Sequence, residues 1–129
     1  MQNAEFNYSL TVEVYMEENI ISKKTFNFAI RIVKLYKHLT SKKELIMSKQ
    51  LLRCGTSIGA NVSEAQRGQS KADFNSKLNI ALKEANETEY WLRLLKETEY
   101  ISDKEYDSIN YDIQEIISIL VAICKKTNI

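Results

Sequence analysis

The sequence predicts an all-α protein: an antiparallel up-and-down four-helix bundle with an N-terminal extended arm. Three observations carry that reading. The 129 residues contain no Pro and only three Gly, which leaves room for long uninterrupted helices. Four stretches repeat apolar residues at alternating steps of three and four. Helix-starting signals stand between those stretches. Four amphipathic helices with short connections pack as a bundle of one domain.

Residues 5–14 come first and break the pattern. Phe6, Tyr8, Leu10, Val12 and Val14 alternate with Glu5, Asn7, Ser9, Thr11 and Glu13. A period of two is the strand signature. A lone strand finds no ladder partner in a helical fold, so residues 1–18 are expected to be an arm on the bundle or a neighbouring copy, or a loosely docked tail. Residues 19–129 form the bundle domain.

The first helix is expected from Asn19 or Ser22 to about Leu39. It carries one stripe of Phe26, Ala29, Val33 and Tyr36 and a second of Phe28, Ile32, Leu35 and Leu39. So wide an apolar surface is covered from more than one side. Ser41-Lys42-Lys43-Glu44 has the capping-box pattern and is expected to open the second helix, about Lys42 to Gln66, which Gly68 ends. Ser70-Lys71-Ala72-Asp73 is a looser cap for the third helix, about Lys71 to Glu99. Its stripe is Phe74, Leu78, Ala81, Ala85, Thr88, Leu92 and Leu95. Ser102-Asp103-Lys104-Glu105 caps the fourth, about Asp103 to Lys126, with Tyr106, Ile109, Ile113, Ile116, Leu120 and Ile123 on one face. Ile117, Ile119, Val121, Trp91 and Leu94 fall off the main stripes and are expected as leftover apolar surface for self-association.

The second helix is unusual in composition. Leu51, Gly55, Ile58, Val62 and Ala65 keep a 4-3-4-3 spacing, yet small residues crowd the segment. A Gly inside a helix costs about 1 kcal/mol against Ala. Gly55 and Gly59, four apart, therefore mark a place where another helix backbone comes close. Asn61 and Glu64 read as a polar pair that fixes helix register, with Arg67 as an i,i+3 partner of Glu64.

Here the chain resembles the bacterial four helix bundle proteins named for ribosomal RNA intervening sequences in which some are encoded. The resemblance rests on Ser57-Ile58-Gly59-Ala60-Asn61-Val62-Ser63-Glu64-Ala65-Gln66, on Arg67 through Phe74, on Leu78 through Ala85 and on Glu87 through Leu92. Phe28 through Tyr36 and Ser48 through Arg53 fit as well, so it covers about residues 19–125. It implies an antiparallel bundle that assembles into rings, often pentamers, without an established enzymatic activity. The family core Ser-Ile-x-x-Asn-x-x-Glu maps onto Ser57, Ile58, Asn61 and Glu64. A related group, the accessory variability determinant proteins of diversity-generating retroelements, forms basic pentamers that work with nucleic acid. This chain departs from that group in being nearly neutral, at net +1.

The neutrality is uneven. Residues 1–18 carry −4, residues 19–71 carry +9 and residues 72–129 carry −4. Lys42, Lys43, Lys49, Arg53, Arg67 and Lys71 on and beside the second helix are the candidate phosphate contacts. Lys23, Lys24, Arg31, Lys34 and Lys37 add to them from the first helix. The bland alternative is a solvated basic face balanced by acids on the later helices.

No catalytic constellation is visible. His38 is the one imidazole, with no Glu three residues before it, so the di-iron bundle pattern is missing. Cys54 and Cys124 lack zinc-site spacing and read as buried reduced thiols. Gly55 and Gly59 lie within a helix, not in a phosphate loop. No apolar run reaches the roughly 18–20 residues of a membrane span, and residues 1–22 contain no base to start a signal peptide. The expectation is a cytoplasmic, non-enzymatic homo-oligomer without cofactor or metal. Its partners are further copies of itself and RNA or an RNA-handling protein; the alternative is a purely structural protein–protein oligomer.

Overall fold

The computed structural model describes the backbone of residues 2–127 and the side chains of residues 19–127. Within them the chain forms four helices: α1, Gln2–Ser41; α2, Met47–Gln66; α3, Lys71–Glu97; and α4, Asp103–Thr127. Each helix packs on the next, and α4 closes onto α1. Among the described residues the diagonal pairs do not touch, so the section is a square of four helices.

Cross-helix contacts fix every direction as antiparallel. Gly55 and Gly59 of α2 lie against Ile32 and Thr25 of α1. Arg53 and Glu64 of α2 pair with Glu84 and Lys77 of α3. Near the start of α3, Asn75 Nδ2 donates to the Thr127 carbonyl at the end of α4, at 2.7 Å. Lys24 and Arg31 of α1 pair with Glu115 and Asp112 of α4, at 2.7 and 2.6 Å.

The core follows the predicted stripes. Phe28, Ile32, Leu39, Leu51, Ile58, Leu78, Leu92, Leu95, Ile113, Ile116 and Leu120 are all at most 1% exposed. The second stripe of α1 faces the core, joined by Ile21. The first does so only in part: Ala29, Val33 and Tyr36 are half-buried, and Phe26 is 67% exposed. The five residues expected as leftover surface, Trp91, Leu94, Ile117, Ile119 and Val121, are half-buried. Trp91, Ile117 and Ile119 pack against the core as half-buried residues. Among the described residues the exposed large apolar side chains are Ile20, Phe26, Ile30, Leu45, Ile46 and Ile80, with Tyr90 and Tyr111.

The expected strand over residues 5–14 is corrected at the level of the backbone, which is helical and continuous with α1. The side chains of that segment lie outside the described residues. An isolated strand leaves its backbone N–H and C=O groups without partners, whereas a helix satisfies them internally. Nothing interrupts the helix either, since residues 2–41 contain neither Gly nor Pro.

The Ser41–Glu44 box is a second correction. Ser41 ends α1, and its hydroxyl donates to the His38 carbonyl at 2.6 Å. Lys43, with φ at 67°, takes the left-handed position after α1. Lys43 N then bonds Thr40 O, and Glu44 N bonds Leu39 O, which is the two-bond Schellman closure. Glu99, with φ at 68°, ends α3 the same way. Glu44 instead caps α2, which starts five residues later than expected. Its carboxylate accepts from the backbone N–H groups of Ile46, Met47 and Ser48 at 3.2, 3.0 and 2.7 Å. Ser70 and the Ser102–Glu105 box cap α3 and α4 as predicted.

Glu44 is 7% exposed, and that burial pushes its carboxyl upward. The bonds from Ser48, Met47 and Ile46 outweigh it, and the group sits below its ordinary value of 4.5. A depressed folded-state value adds stability above the ordinary value, and that stability is lost as pH falls through the depressed one. Glu44→Gln is expected to cost about 1–2 kcal/mol at neutral pH. Its deficit against the wild type should narrow steadily below about pH 4.5. Chemical denaturation across pH 3–7 checks this, and a deficit independent of pH would contradict the cap.

Candidate functional site

The segment singled out in α2 builds the α1–α2 crossing. A Cβ placed on Gly55 would stand 2.8 and 2.9 Å from Ile32 Cγ1 and Cγ2, atoms fixed next to the α1 backbone. A Cβ on Gly59 would stand 3.3 Å from the Thr25 carbonyl oxygen itself. Both glycines thus sit where the neighbouring helix comes close, with Gly55 the tighter.

The family-motif residues divide by depth. Ile58 is fully buried between the helices. Ser57 is half-buried, and its hydroxyl donates to the Arg53 carbonyl at 2.6 Å. Half-buried Asn61 Nδ2 donates to the Ser57 carbonyl at 2.8 Å. Both therefore bond within their own helix. Glu64 reaches Lys77 of α3 at 3.0 Å, with its side chain 60% exposed. The expected Asn61–Glu64 register pair is thus not a joint cross-helix device. Only Glu64 crosses, at the surface, and its ion-pair partner is Lys77 rather than Arg67.

Above this crossing lies an open groove of about 620 Å³. Thr25, Phe26 and Ala29 line it from α1, and Thr56, Gly59 and Ala60 from α2. Two of its hydroxyls are spent locally, Thr25 donating to Ile21 O and Thr56 to Leu52 O, while Ser22, Lys23, Asn27 and Ser63 add further polar groups to the lining. What remains is a shallow, mostly apolar trough beside an exposed phenyl ring. Such a surface can accept an apolar side chain. Cys54 is buried, and that burial pushes its thiol up to about 11, far from the nucleophilic range.

The six bases proposed for phosphate contact do not form one patch. Lys42, Lys43 and Lys49 are exposed at the end of the bundle where α1 turns into α2. Arg67 and Lys71 are exposed at the opposite end, the length of the 20-residue α2 away, or about 30 Å. Between them Arg53 is held by Glu84 and Glu87 of α3, and Trp91 Nε1 also donates to Glu87.

A second groove, of about 520 Å³, runs along the α1–α4 seam. Arg31, Lys34, His38 and Lys104 line it, over a floor of Leu35, Ile101 and Ile109. Sequence reasoning did not single it out. The spacing of Arg31, Lys34 and His38 on one stripe of α1 was the available signal. Their meeting with Lys104 required the fold. Among the described residues no three His, Cys, Asp or Glu side chains gather into a metal site. No helix there is long and apolar enough to cross a membrane.

Comparison with known proteins places the whole bundle. Residues 17–122 match the family described as 23S rRNA-intervening sequence protein. The chain belongs to this family. A solved relative is the crystal structure of a protein of unknown function from the S23 ribosomal protein family of Bacteroides thetaiotaomicron. It is 59% identical, with a TM-score of 0.83 over 84% of this chain and 98% of that one. No curated protein matches the sequence. The family match begins near the point where the arm was expected to end.

The two glycines and Glu64 separate packing from surface roles. Gly55→Ala is expected to destabilise by about 1–3 kcal/mol, because Ile32 cannot retreat. Gly59→Ala should stay within about 1 kcal/mol, since better helix propensity offsets a milder contact. Glu64→Ala should change stability by less than about 0.5 kcal/mol, as exposed ion pairs do. Urea denaturation of the three variants checks the order, which equal costs at positions 55 and 59 would contradict.

Proposed function

We propose that this family member works by binding and assembly rather than catalysis, as a homo-oligomeric helical scaffold that closes into a ring. The observation that carries the reading is the unpartnered outer face of α1. Phe26 stands 67% exposed on that face, beside the small-residue trough over Gly59 and Ala60. Exposed apolar surface next to a backbone stripped of side chains is the usual form of an association surface. The buried, poorly ionised Cys54 and the inward-bonded Ser57 and Thr56 support a non-enzymatic role.

A specific observation favours RNA contact as a second property of the same assembly. Lys42, Lys43 and Lys49 project from one end and make no ion pair among the described residues. In a ring that cluster recurs once per copy. Three phosphate contacts per copy would weaken single-strand binding by about 20-fold between 50 and 200 mM salt. Arg53, Arg67 and Lys71 are not needed for this reading. Without RNA contact, the assembly would be a purely protein–protein scaffold.

Native mass at low and high salt, with co-purifying RNA measured, tests both parts. The expected result is a multimer that Phe26→Glu reduces to smaller species without loss of helix content. RNA should leave in salt, and Lys42→Glu/Lys43→Glu/Lys49→Glu should abolish its retention while assembly persists. A monomeric wild type, or a multimer indifferent to Phe26→Glu, overturns the assembly surface. Retention that survives the triple change removes the lysine cluster from the account.

A further inference from the structure

We propose that the acidic N-terminal segment of one copy, residues 1–18, docks into the basic α1–α4 groove of a second copy. The inference rests on the self-association reading and names a contact within it.

The groove supplies one half of the argument. Its floor is aliphatic, from Leu35, Ile101 and Ile109, and its rim is basic, from Arg31, Lys34, His38 and Lys104. Arg31 is partly committed, bonding Asp112 at 2.6 Å and the Ser108 hydroxyl at 3.0 Å. Lys34 and Lys104 are exposed and make no ion pair among the described residues. The one carboxylate in the lining, Glu105, is turned to the helix cap and accepts from Ser102 N at 2.9 Å. The groove therefore asks for a ligand with apolar and anionic groups side by side.

Residues 1–18 have that composition and the opposite sign. They hold Glu5, Glu13, Glu17 and Glu18 and no base. Their backbone continues α1, so helical register applies. Phe6, Leu10, Glu13 and Glu17 then recur at steps of four, three and four, which places two apolar and two anionic positions along one stripe. An RNA strand offers the charge, but the floor is aliphatic, the stacking surfaces are confined to His38 and Arg31 at the rim, and Arg31 is already bonded to Asp112. Charge and apolar character together favour the chain's own segment.

Geometry makes the contact intermolecular. The segment and the groove's Arg31, Lys34 and His38 belong to one unbroken helix. Glu17 lies 14 residues before Arg31, about 21 Å along the axis, and the segment runs away from the groove. No copy can fold its own segment back without breaking α1. The family match starts at residue 17, so the contact would be an addition to the shared bundle.

Complementary charge reversal tests this on full-length protein. Lys34→Glu/Lys104→Glu alters the groove and Glu13→Lys/Glu17→Lys the segment, all in polar positions of sequence or surface. At low salt each variant alone should bind itself at least about 10-fold more weakly than wild type. A fluorescently labelled groove variant mixed with the segment variant should recover near-wild-type affinity, because the signs match again. A mixed pair no tighter than either variant alone overturns the docking. So does loss of RNA binding in the groove variant with copy–copy affinity unchanged, which would assign the groove to nucleic acid. If wild-type mass shows a multimer and the mixing gain is absent, the docking fails while the assembly stands. A monomeric wild type overturns the assembly reading and the docking with it.

Discussion

The contact on which this bundle depends is the seating of Ile32 against the bare backbone at Gly55. Helices carrying ordinary side chains keep their axes about 8–10 Å apart. Removing the Cβ at Gly55 and again at Gly59 lets α2 close on α1. That closeness leaves Ile58, Val62 and Ala65 buried in the core. The conformational cost of the helical glycines is thus offset by close packing, which a Cβ at position 55 would disrupt. The same choice creates the trough beside Phe26, so the packing that secures the core also shapes the outer face from which assembly is argued.

Around that core the charges serve chiefly as positioning devices. Lys24–Glu115 and Arg31–Asp112 lace α1 to α4, while Arg53–Glu84–Glu87 and Glu64–Lys77 lace α2 to α3. Each is partly exposed and contributes little stability alone. Together they fix which bases are committed and which project. The +9 of residues 19–71 is accordingly not one basic face. Arg53 is neutralised, two bases lie at one end with three at the other, and of the α1 bases Arg31 and Lys34 converge with Lys104 on a separate groove. Net charge by segment does not report an electrostatic surface, because partners distant in sequence cancel it.

The helical stripes were legible because burial demands periodicity. The buried faces of α2, α3 and α4 coincide with the 3-4 spacings read from residues 51–65, 74–95 and 106–123. Gly55 and Gly59 were legible for the same reason, as residues that helix propensity alone would reject. Ser102–Glu105 was legible as a local motif, and its twin at Ser41–Glu44 misled because two readings share that pattern. Glu44 caps from outside the helix by collecting three N–H groups, and only the left-handed turn at Lys43 brings it there. The alternation over residues 5–14 was true of the side chains but not decisive for the backbone, which lacked a strand partner. The α1–α4 groove was not legible, since Lys104 meets Lys34 only through the closing of the square.

The central claim is that α1 and α2 are held by a fit between one missing Cβ and one branched side chain. A double-mutant cycle on Gly55→Ala and Ile32→Ala measures that fit directly by equilibrium denaturation. Truncating Ile32 removes the atoms that a Cβ at position 55 would strike. The account predicts that the double variant is at least about 1 kcal/mol more stable than the sum of the single losses implies. Strictly additive losses would mean that Ile32 does not occupy the space left by Gly55. The close crossing would then not be what organises the bundle.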